Sequence, residues 1–329
     1  MDRRTFWGHV AFGALAFTCS ATAQPSRALS RIGILRLENT KDMVGAEPRN
    51  VQVKALLDGL QALGYRYGQH FVTEPRGAGG RPERIPALAA ELARLPVDVI
   101  VAAGPVLPAL TRATSTIPIV MGGASDPVGD GLVPSLARPG GNITGLSLQT
   151  VEVIGKRIEL LKDVVPGTAP VAVLWDQPRI VDWQAAEAAT RLRQWKLVSL
   201  EFRDVDDLPG VIRRATEAGA ATVLVLGGGI LFPHARRVAE LIAASGLAAM
   251  YPLRPYVDAG GLLSYGADLN DIWRRAAGFV DKILKGAAPG SLPVEQPTTF
   301  ELVINLKAAK AIGRTVPQSM LARADEVLR

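Results

Sequence analysis

Serine, aspartate and tryptophan side chains follow apolar segments of this 329-residue sequence at the points where those segments end. Ser125-Asp126-Pro127 comes shortly after the apolar run 117–121, and Trp175-Asp176 closes a second run that begins at Val171. A carboxylate can bind an ammonium group and a serine hydroxyl can bind a carboxylate, so these residue types suit a small zwitterion. The Trp175 ring can stack on a ligand or pack in a core.

The same reasoning selects further positions that follow predicted strands. The candidate ligand-binding residues are Gly104, Pro105, Ser125, Asp126, Pro127, Trp175, Asp176, Gly227, Gly228 and Tyr265. For Asp126 and Asp176, a structural role in a turn is an equally good interpretation. The glycines at 227–229 lack the Gly-x-Gly-x-x-Gly spacing of a dinucleotide loop, and no Gly-x-x-x-x-Gly-Lys or Gly-x-Ser-x-Gly occurs, so we expect neither a cofactor nor a catalytic serine.

Strand and helix patterns alternate along most of the chain. Continuous apolar runs at 31–35, 97–102 and 171–175 read as buried strands, and residues 51–63 read as a helix whose leucines fall on one face. Repeated units of this kind predict an α/β fold with parallel sheets flanked by helices, in two lobes. Ligands of such sheets bind outside the carboxyl ends of the strands, which is where the candidate residues lie.

The first 23 residues have the order of an export signal. Arg3 and Arg4 supply positive charge, residues 10–17 form a short apolar core, and Ala21-Thr22-Ala23 is a small-x-small cleavage site. The Arg3-Arg4-Thr5-Phe6 stretch resembles a twin-arginine signal, and an ordinary basic start explains it as well. We therefore expect export, with a mature chain that begins near Gln24.

Composition excludes several classes of site. Cleavage after Ala23 removes Cys19, the one cysteine, and with it disulfides and thiol chemistry. His70 and His234 fall in different predicted lobes, so no metal site is expected. The net charge of +6 is spread among acidic residues without a basic run, which argues against a nucleic-acid partner.

Several segments taken in order carry a family resemblance. They are 57–65 (LDGLQALGY), 87–92 (ALAAEL) with 97–102 (VDVIVA), 126–133 (DPVGDGLV), 136–145 (LARPGGNITG), 155–161 (GKRIELL), 259–266 (AGGLLSYG), 292–298 (LPVEQPT) and 322–327 (ARADEV). Together they resemble the ABC-transporter substrate-binding proteins of the tryptophan/tyrosine-binding type. The resemblance implies a periplasmic-binding-protein fold of type I, with two Rossmann-like lobes, three crossover segments and a ligand cleft between the lobes.

This resemblance also implies boundaries, partners and motion. The N-terminal lobe is expected to comprise 30–143 and 262–292, and the C-terminal lobe 144–261 and 293–329. The glycines around 140–145 predict a hinge at Gly141, Asn142, Ile143 and Thr144. A periplasmic monomer is expected, which hands an amino acid or related small carboxylate to an ABC permease in the inner membrane.

Two other functional classes stay open. A sensory binding module that reports to a membrane receptor would share the fold and the cleft, and an exported α/β enzyme would share the fold. The enzyme interpretation lacks a nucleophile, a metal cluster or a cofactor loop in the sequence.

Overall fold

The computed structural model describes residues 29–191, 194–227 and 230–329, and the expected export signal lies outside these residues. The chain forms two α/β lobes. The strands of the first sheet are β1 (Ser30–Arg36), β2 (Phe71–Gly77), β3 (Val99–Ala102), β4 (Ile119–Ala124) and β5 (Ile143–Ser147). They are all parallel, in the order β2-β1-β3-β4-β5.

Seven strands form the second sheet, in the order β12-β11-β10-β9-β8-β6-β7. They are β6 (Val171–Asp176), β7 (Leu197–Phe202), β8 (Thr222–Val225), β9 (Ala248–Tyr251), β10 (Leu263–Gly266), β11 (Glu301–Asn305) and β12 (Glu326–Leu328). Only the pair β10–β11 is antiparallel among the described strands. The expected α/β class with two mostly parallel sheets is confirmed.

Helices cover both faces of each sheet. They are α1 (Val51–Ala62), α2 (Ile85–Leu92), α3 (Leu107–Ala113), α4 (Ile154–Val164), α5 (Ile180–Arg191), α6 (Leu208–Glu217), α7 (Ala235–Ala244), α8 (Arg254–Asp258), α9 (Leu269–Leu284), α10 (Leu306–Ala311) and α11 (Gln318–Leu321). Helix α1 begins where the Asn50 side chain accepts a hydrogen bond from the Val53 N–H at 3.0 Å, and its C-terminal end is followed by Gly64, whose φ of 90° suits glycine.

Helix α9 follows β10 in the chain but packs on the first lobe. Its buried face, which includes Trp273 and Val280, shares one apolar core with Leu56 and Leu60 of α1. The two helices approach closely at Gly59, where an added Cβ would lie 2.5 Å from the Arg274 carbonyl oxygen. A residue of the second half of the chain can therefore line a site as part of the first lobe.

The expected lobe boundaries need correction at both ends. Strand β5 pairs with β4 through its whole length, so residues 144–147 belong to the first lobe rather than to the second. Strand β10 pairs with β9 and β11, so residues 262–266 belong to the second lobe. After α9, Glu295 still pairs with the edge of β5, through its bridge to Leu146. The chain therefore crosses between lobes at 148–153, at 267–268 and at 296–300.

The hinge expected at Gly141–Thr144 needs the same correction. Ile143 and Thr144 are strand residues opposite Ile119 and Val120, and the Asn142 amide donates a 2.7 Å hydrogen bond to the Ile117 carbonyl. These contacts fix the segment within the first sheet, at the end of β5 that faces away from the cleft.

Candidate functional site

A cleft lies between the lobes at the carboxyl ends of the central strands of both sheets, and it consists of two adjoining chambers. The chamber that we call inner holds about 720 Å³ of empty space and the outer chamber about 1140 Å³, open solvent included. Pro105 and Ser125 line both chambers, so the two are continuous. Both lobes contribute side chains to each chamber, which is the arrangement that a ligand held between lobes requires.

The inner chamber has mainly apolar and aromatic walls. Trp273 and Leu148 face it from the first lobe and its crossing segment, and Phe232, Leu253 and Tyr256 face it from the second lobe. Large rings on both sides of a cleft can bury the apolar part of a ligand.

One ion pair lines the inner chamber. Arg36, at the end of β1, is 5% exposed, and its Nε donates hydrogen bonds of 3.1 Å to both carboxylate oxygens of Glu38. The guanidinium carbon lies 4.6 Å from the centre of the Trp273 ring. Burial raises the pKa of Glu38, but the Arg36 charge and hydrogen bonds outweigh it and hold that pKa below its usual range. The pair is therefore ionised and neutral as a unit.

Gly122 sets the position of the Trp273 ring. A Cβ at residue 122 would lie 2.8 Å from a carbon of the ring, closer than carbon atoms pack. The absence of a side chain at the end of β4 thus lets the indole lie against the strand and form the floor of the inner chamber.

The outer chamber is more polar and contains an ion pair across the cleft. Arg179, in the turn that precedes α5, lies 3.4 Å from Asp130 of the first lobe and 3.4 Å from Asp182 of its own lobe. Burial raises the pKa of Asp130, and it raises the pKa of the 3%-exposed Asp182 to about 6 although Arg179 and Arg157 oppose the shift.

Asp176 is the last residue of β6 and also lines the outer chamber. It is 5% exposed and stands where an aspartate usually caps a helical turn, yet its side chain caps nothing. Burial raises the pKa of Asp176, and the nearby Arg179 charge only partly offsets this.

Arg157 ties two crossing segments together behind the cleft. This α4 side chain is buried, and it donates hydrogen bonds to the carbonyls of Tyr265 (2.7 Å), Pro252 (3.2 Å) and Thr150 (3.3 Å). Thr150 lies in the first crossing and Tyr265 just before the second. Burial lowers the pKa of Arg157 to about 10, with the Asp182 charge opposing the shift.

The structure places half of the candidate residues at the cleft. Gly104 and Asp176 line the outer chamber, Gly227 lines the inner chamber, and Pro105 and Ser125 line both. Gly228 lies outside the described residues.

Four candidates lie elsewhere and have structural partners. Asp126 accepts a 2.9 Å hydrogen bond from the Gly129 N–H and so caps a turn, and Pro127 is buried beneath that turn. Trp175 packs in the core, stacked on Trp183 with 5.4 Å between ring centres. Tyr265 stacks on Phe300. The Asp126 carboxylate, which was expected to bind an ammonium, thus caps a turn and lines neither chamber.

Sequence reasoning missed several lining residues. Arg36 and Glu38 follow the first predicted strand, so the rule applied to the other strand ends would have found them. Trp273 gave no such signal, because it lies within a helix and reaches the cleft only through the return of α9 to the first lobe.

The fold and cleft define a class of protein. Two parallel α/β lobes with a cleft at their strand ends and three crossings between them are the architecture of the type I periplasmic binding proteins. The model of the ABC transporter substrate-binding protein family matches residues 40–328, and this chain belongs to that family.

Individual relatives agree with this assignment. A conserved domain protein from Vibrio cholerae is 27% identical, with a TM-score of 0.81 over 91% of this chain and 99% of that one. An ABC domain from Streptococcus pneumonia, solved in complex with L-Trp, is 23% identical, with a TM-score of 0.81 over 92% and 100% of the two chains. A tyrosine-binding protein of Clostridioides difficile is 24% identical over 264 residues, which cover 79% of this chain and 75% of that protein.

Two further observations concern the described residues only. Within 29–191, 194–227 and 230–329, no helix is both long and apolar enough to cross a membrane. The same ranges contain no group of three or more histidine, cysteine, aspartate or glutamate side chains arranged to hold a metal ion.

Proposed function

We propose that this chain is the exported solute-binding component of an ABC-type uptake system, and that it binds an amino acid or related small carboxylate between its lobes. The observation that carries the proposal is the pairing of an aromatic inner chamber with a charged outer chamber. These two chambers match the two halves of an amino acid that has a large apolar side chain. The ligand is then handed to a permease in the inner membrane.

The walls of the inner chamber favour an aromatic side chain. A ring placed there meets Trp273 from one lobe and Phe232 and Tyr256 from the other, and burying a large apolar side chain contributes about 1.5–3 kcal/mol. Two relatives, a tyrosine-binding protein and a protein solved in complex with L-Trp, support the same class of ligand.

A binding screen tests the proposal. The purified chain without residues 1–23 is titrated calorimetrically with the twenty amino acids and with aromatic acids, and its melting temperature is measured with each. A ligand at ~100 times its dissociation constant stabilises a protein by about 2.7 kcal/mol, so a true ligand raises the melting temperature by several degrees. If no amino acid or small carboxylate binds, the proposed ligand class is wrong.

Export is part of the proposal and has its own test. The ordered charge, apolar core and small-x-small site at the start of the chain support cleavage after Ala23. The intact mass of the protein recovered from the periplasm is expected to correspond to a chain that begins at Gln24. A mass that includes Met1, or a lipid on Cys19, contradicts this.

Closure of the two lobes around the ligand is the third part of the proposal. We expect opening and closing about the crossings at 148–153, 267–268 and 296–300, because these segments alone connect the two sheets. Small-angle scattering of the monomer should give a smaller radius of gyration at saturating ligand. An unchanged radius would rule out closure by a hinge.

A further inference from the structure

The outer chamber is lined by two carboxylates, those of Asp130 and Asp176, and by two guanidinium groups, those of Arg112 and Arg179. Asp182 lies beside Arg179 but outside this lining, so Arg179 has three carboxylates near it. Arg179 contacts Asp130 and Asp182, and the buried Arg157 adds its charge on the Asp182 side. Asp176 is the carboxylate that is left over.

Asp176 is buried, and its carboxylate has no contacting cation in the part of the chain that the structure describes. Only 5% of the residue is exposed, no described lysine, arginine or histidine nitrogen lies within 4.0 Å of its carboxylate, and no other described residue donates a hydrogen bond to it. A buried carboxylate without a contacting cation is costly to ionise, because burial removes water that the ionised form needs. A ligand that brings a cation to Asp176 would reduce this cost.

The side chain of Tyr256 carries a further polar group near Asp176. The Tyr256 hydroxyl is buried without a hydrogen-bond partner among the described residues, and the Tyr256 ring lines the inner chamber. Burial raises the pKa of Tyr256, and the nearby Tyr251 and Asp176 raise it further.

By contrast, the fully and partly buried cations of the cleft are paired. Arg36 is paired with Glu38, and Arg179 with Asp130 and Asp182. The remaining lining arginine in the described ranges, Arg112, has no carboxylate within 4.0 Å, but it is exposed at the rim, where water weakens a charge–charge contact. The buried charge of the cleft that lacks an ion-pair partner is thus the negative charge of Asp176.

We infer that this cleft selects its ligand by a cationic amine bound to the Asp176 carboxylate, and that a ligand carboxylate contributes little. This inference rests on the proposed function, which gives the ligand an apolar ring for the inner chamber. The ligand class is therefore an aromatic amine, of which the amino acid is one member.

Matched ligands test the inference. L-Tryptophan, L-tyrosine and L-phenylalanine are titrated, and the tightest binder is compared with its decarboxylated amine and with the acid that lacks its amine. The amine should bind within about tenfold of the amino acid, and the acid about 10- to 150-fold more weakly, the range for hydrogen bonds to charged groups. An acid that binds as well as the amino acid overturns the inference and leaves the proposed function standing. If none of the three amino acids and none of their amines binds, the inference fails, while the proposed function fails only if the wider screen of amino acids and small carboxylates also finds no ligand.

A variant separates binding from structure. Asp176→Asn removes the buried charge and keeps the shape, so the ligand-free variant should melt at a higher temperature while its affinity for the amine falls about 10- to 150-fold. Asp163→Asn, at a half-exposed ion pair with Arg323, is the matched control and should change neither. A lower melting temperature with unchanged affinity assigns Asp176 a structural role and overturns the inference.

Discussion

Glu38 and Asp176 are acidic residues that line the same cleft, and they differ in what surrounds them. Glu38 accepts three hydrogen bonds from Arg36, which lower its pKa, whereas Asp176 has no contacting cation in the described structure and a raised pKa. The Glu38 charge is part of the wall of the site, because Arg36 already compensates it within the protein. A buried carboxylate without a contacting cation can gain one from a ligand.

The largest effect on stability is expected at the ion pair of Arg36 and Glu38. Glu38→Ala leaves the buried Arg36 guanidinium without a partner, and removing one member of a buried pair costs about 3–5 kcal/mol. Urea unfolding should show this loss, in contrast to the gain expected for Asp176→Asn. The double variant Arg36→Met, Glu38→Leu should recover most of it. Equal stability of Glu38→Ala and the native chain would mean that Arg36 does not depend on Glu38.

The inner chamber can be changed without touching a charge. Gly122→Ala forces the Trp273 ring away from β4 and should destabilise the protein by about 1–3 kcal/mol through overpacking. Binding of the aromatic ligand should weaken as well, while binding of an aliphatic amine stays the same. Gly278→Ala, in the same helix as Trp273 but with nothing within 4 Å of the added Cβ, is the control and should stabilise by about 0.8–1 kcal/mol. Equal effects of the two substitutions would contradict this description of the floor.

Raised pKa values predict how stability depends on pH. Burial raises the pKa of Asp182 to about 6 and that of Glu301 to about 7, so the folded state binds more protons than the unfolded chain between these values and about 4. Stability should therefore rise as the pH falls from 7.5 to 5, by about 1 kcal/mol for Asp182. Glu301 should add to the rise, but solvent screening reduces its contribution because the group is only half-buried. The Glu38 contribution has the opposite sign but is lost only below this range, because its pKa is lowered.

Melting temperatures of the ligand-free protein across this pH range test whether stability rises as the pH falls. Asp182→Asn should flatten part of the rise, and Glu301→Gln, at the start of β11, should flatten another part. A melting temperature that falls steadily from pH 7.5 to 5 would contradict the assignment of raised pKa values.

The smallest effect is expected at the ion pair across the cleft. Arg179 and Asp130 join the lobes at 3.4 Å with partial exposure, so Asp130→Asn should cost less than about 1 kcal/mol and weaken ligand binding by no more than about fivefold. The loss should shrink at high salt, since screening already weakens the native pair. A large loss of affinity that salt does not change would mean that Asp130, and not Asp176, holds the ligand.

Much of the fold could be predicted from the sequence, because buried parallel strands are continuous apolar runs and their helices have a clear apolar face. The strand-end rule also found Ser125 and Asp176. It could not separate Asp176 from Asp126, since both aspartates follow a strand near a proline and only the folded turn brings the Gly129 N–H to one of them. Trp273 depends on the return of α9 to the first lobe, a long-range feature that spacing does not encode.

The central claim is that the Asp176 carboxylate binds the ligand's ammonium while the ligand's aromatic ring lies against Trp273. A crystal structure with the tightest-binding aromatic amino acid tests this most directly. We expect the ammonium nitrogen within about 2.7–2.9 Å of an Asp176 oxygen, the distance of a charge-assisted hydrogen bond. An ammonium bound at Glu38, or a ring in the outer chamber, would contradict the account.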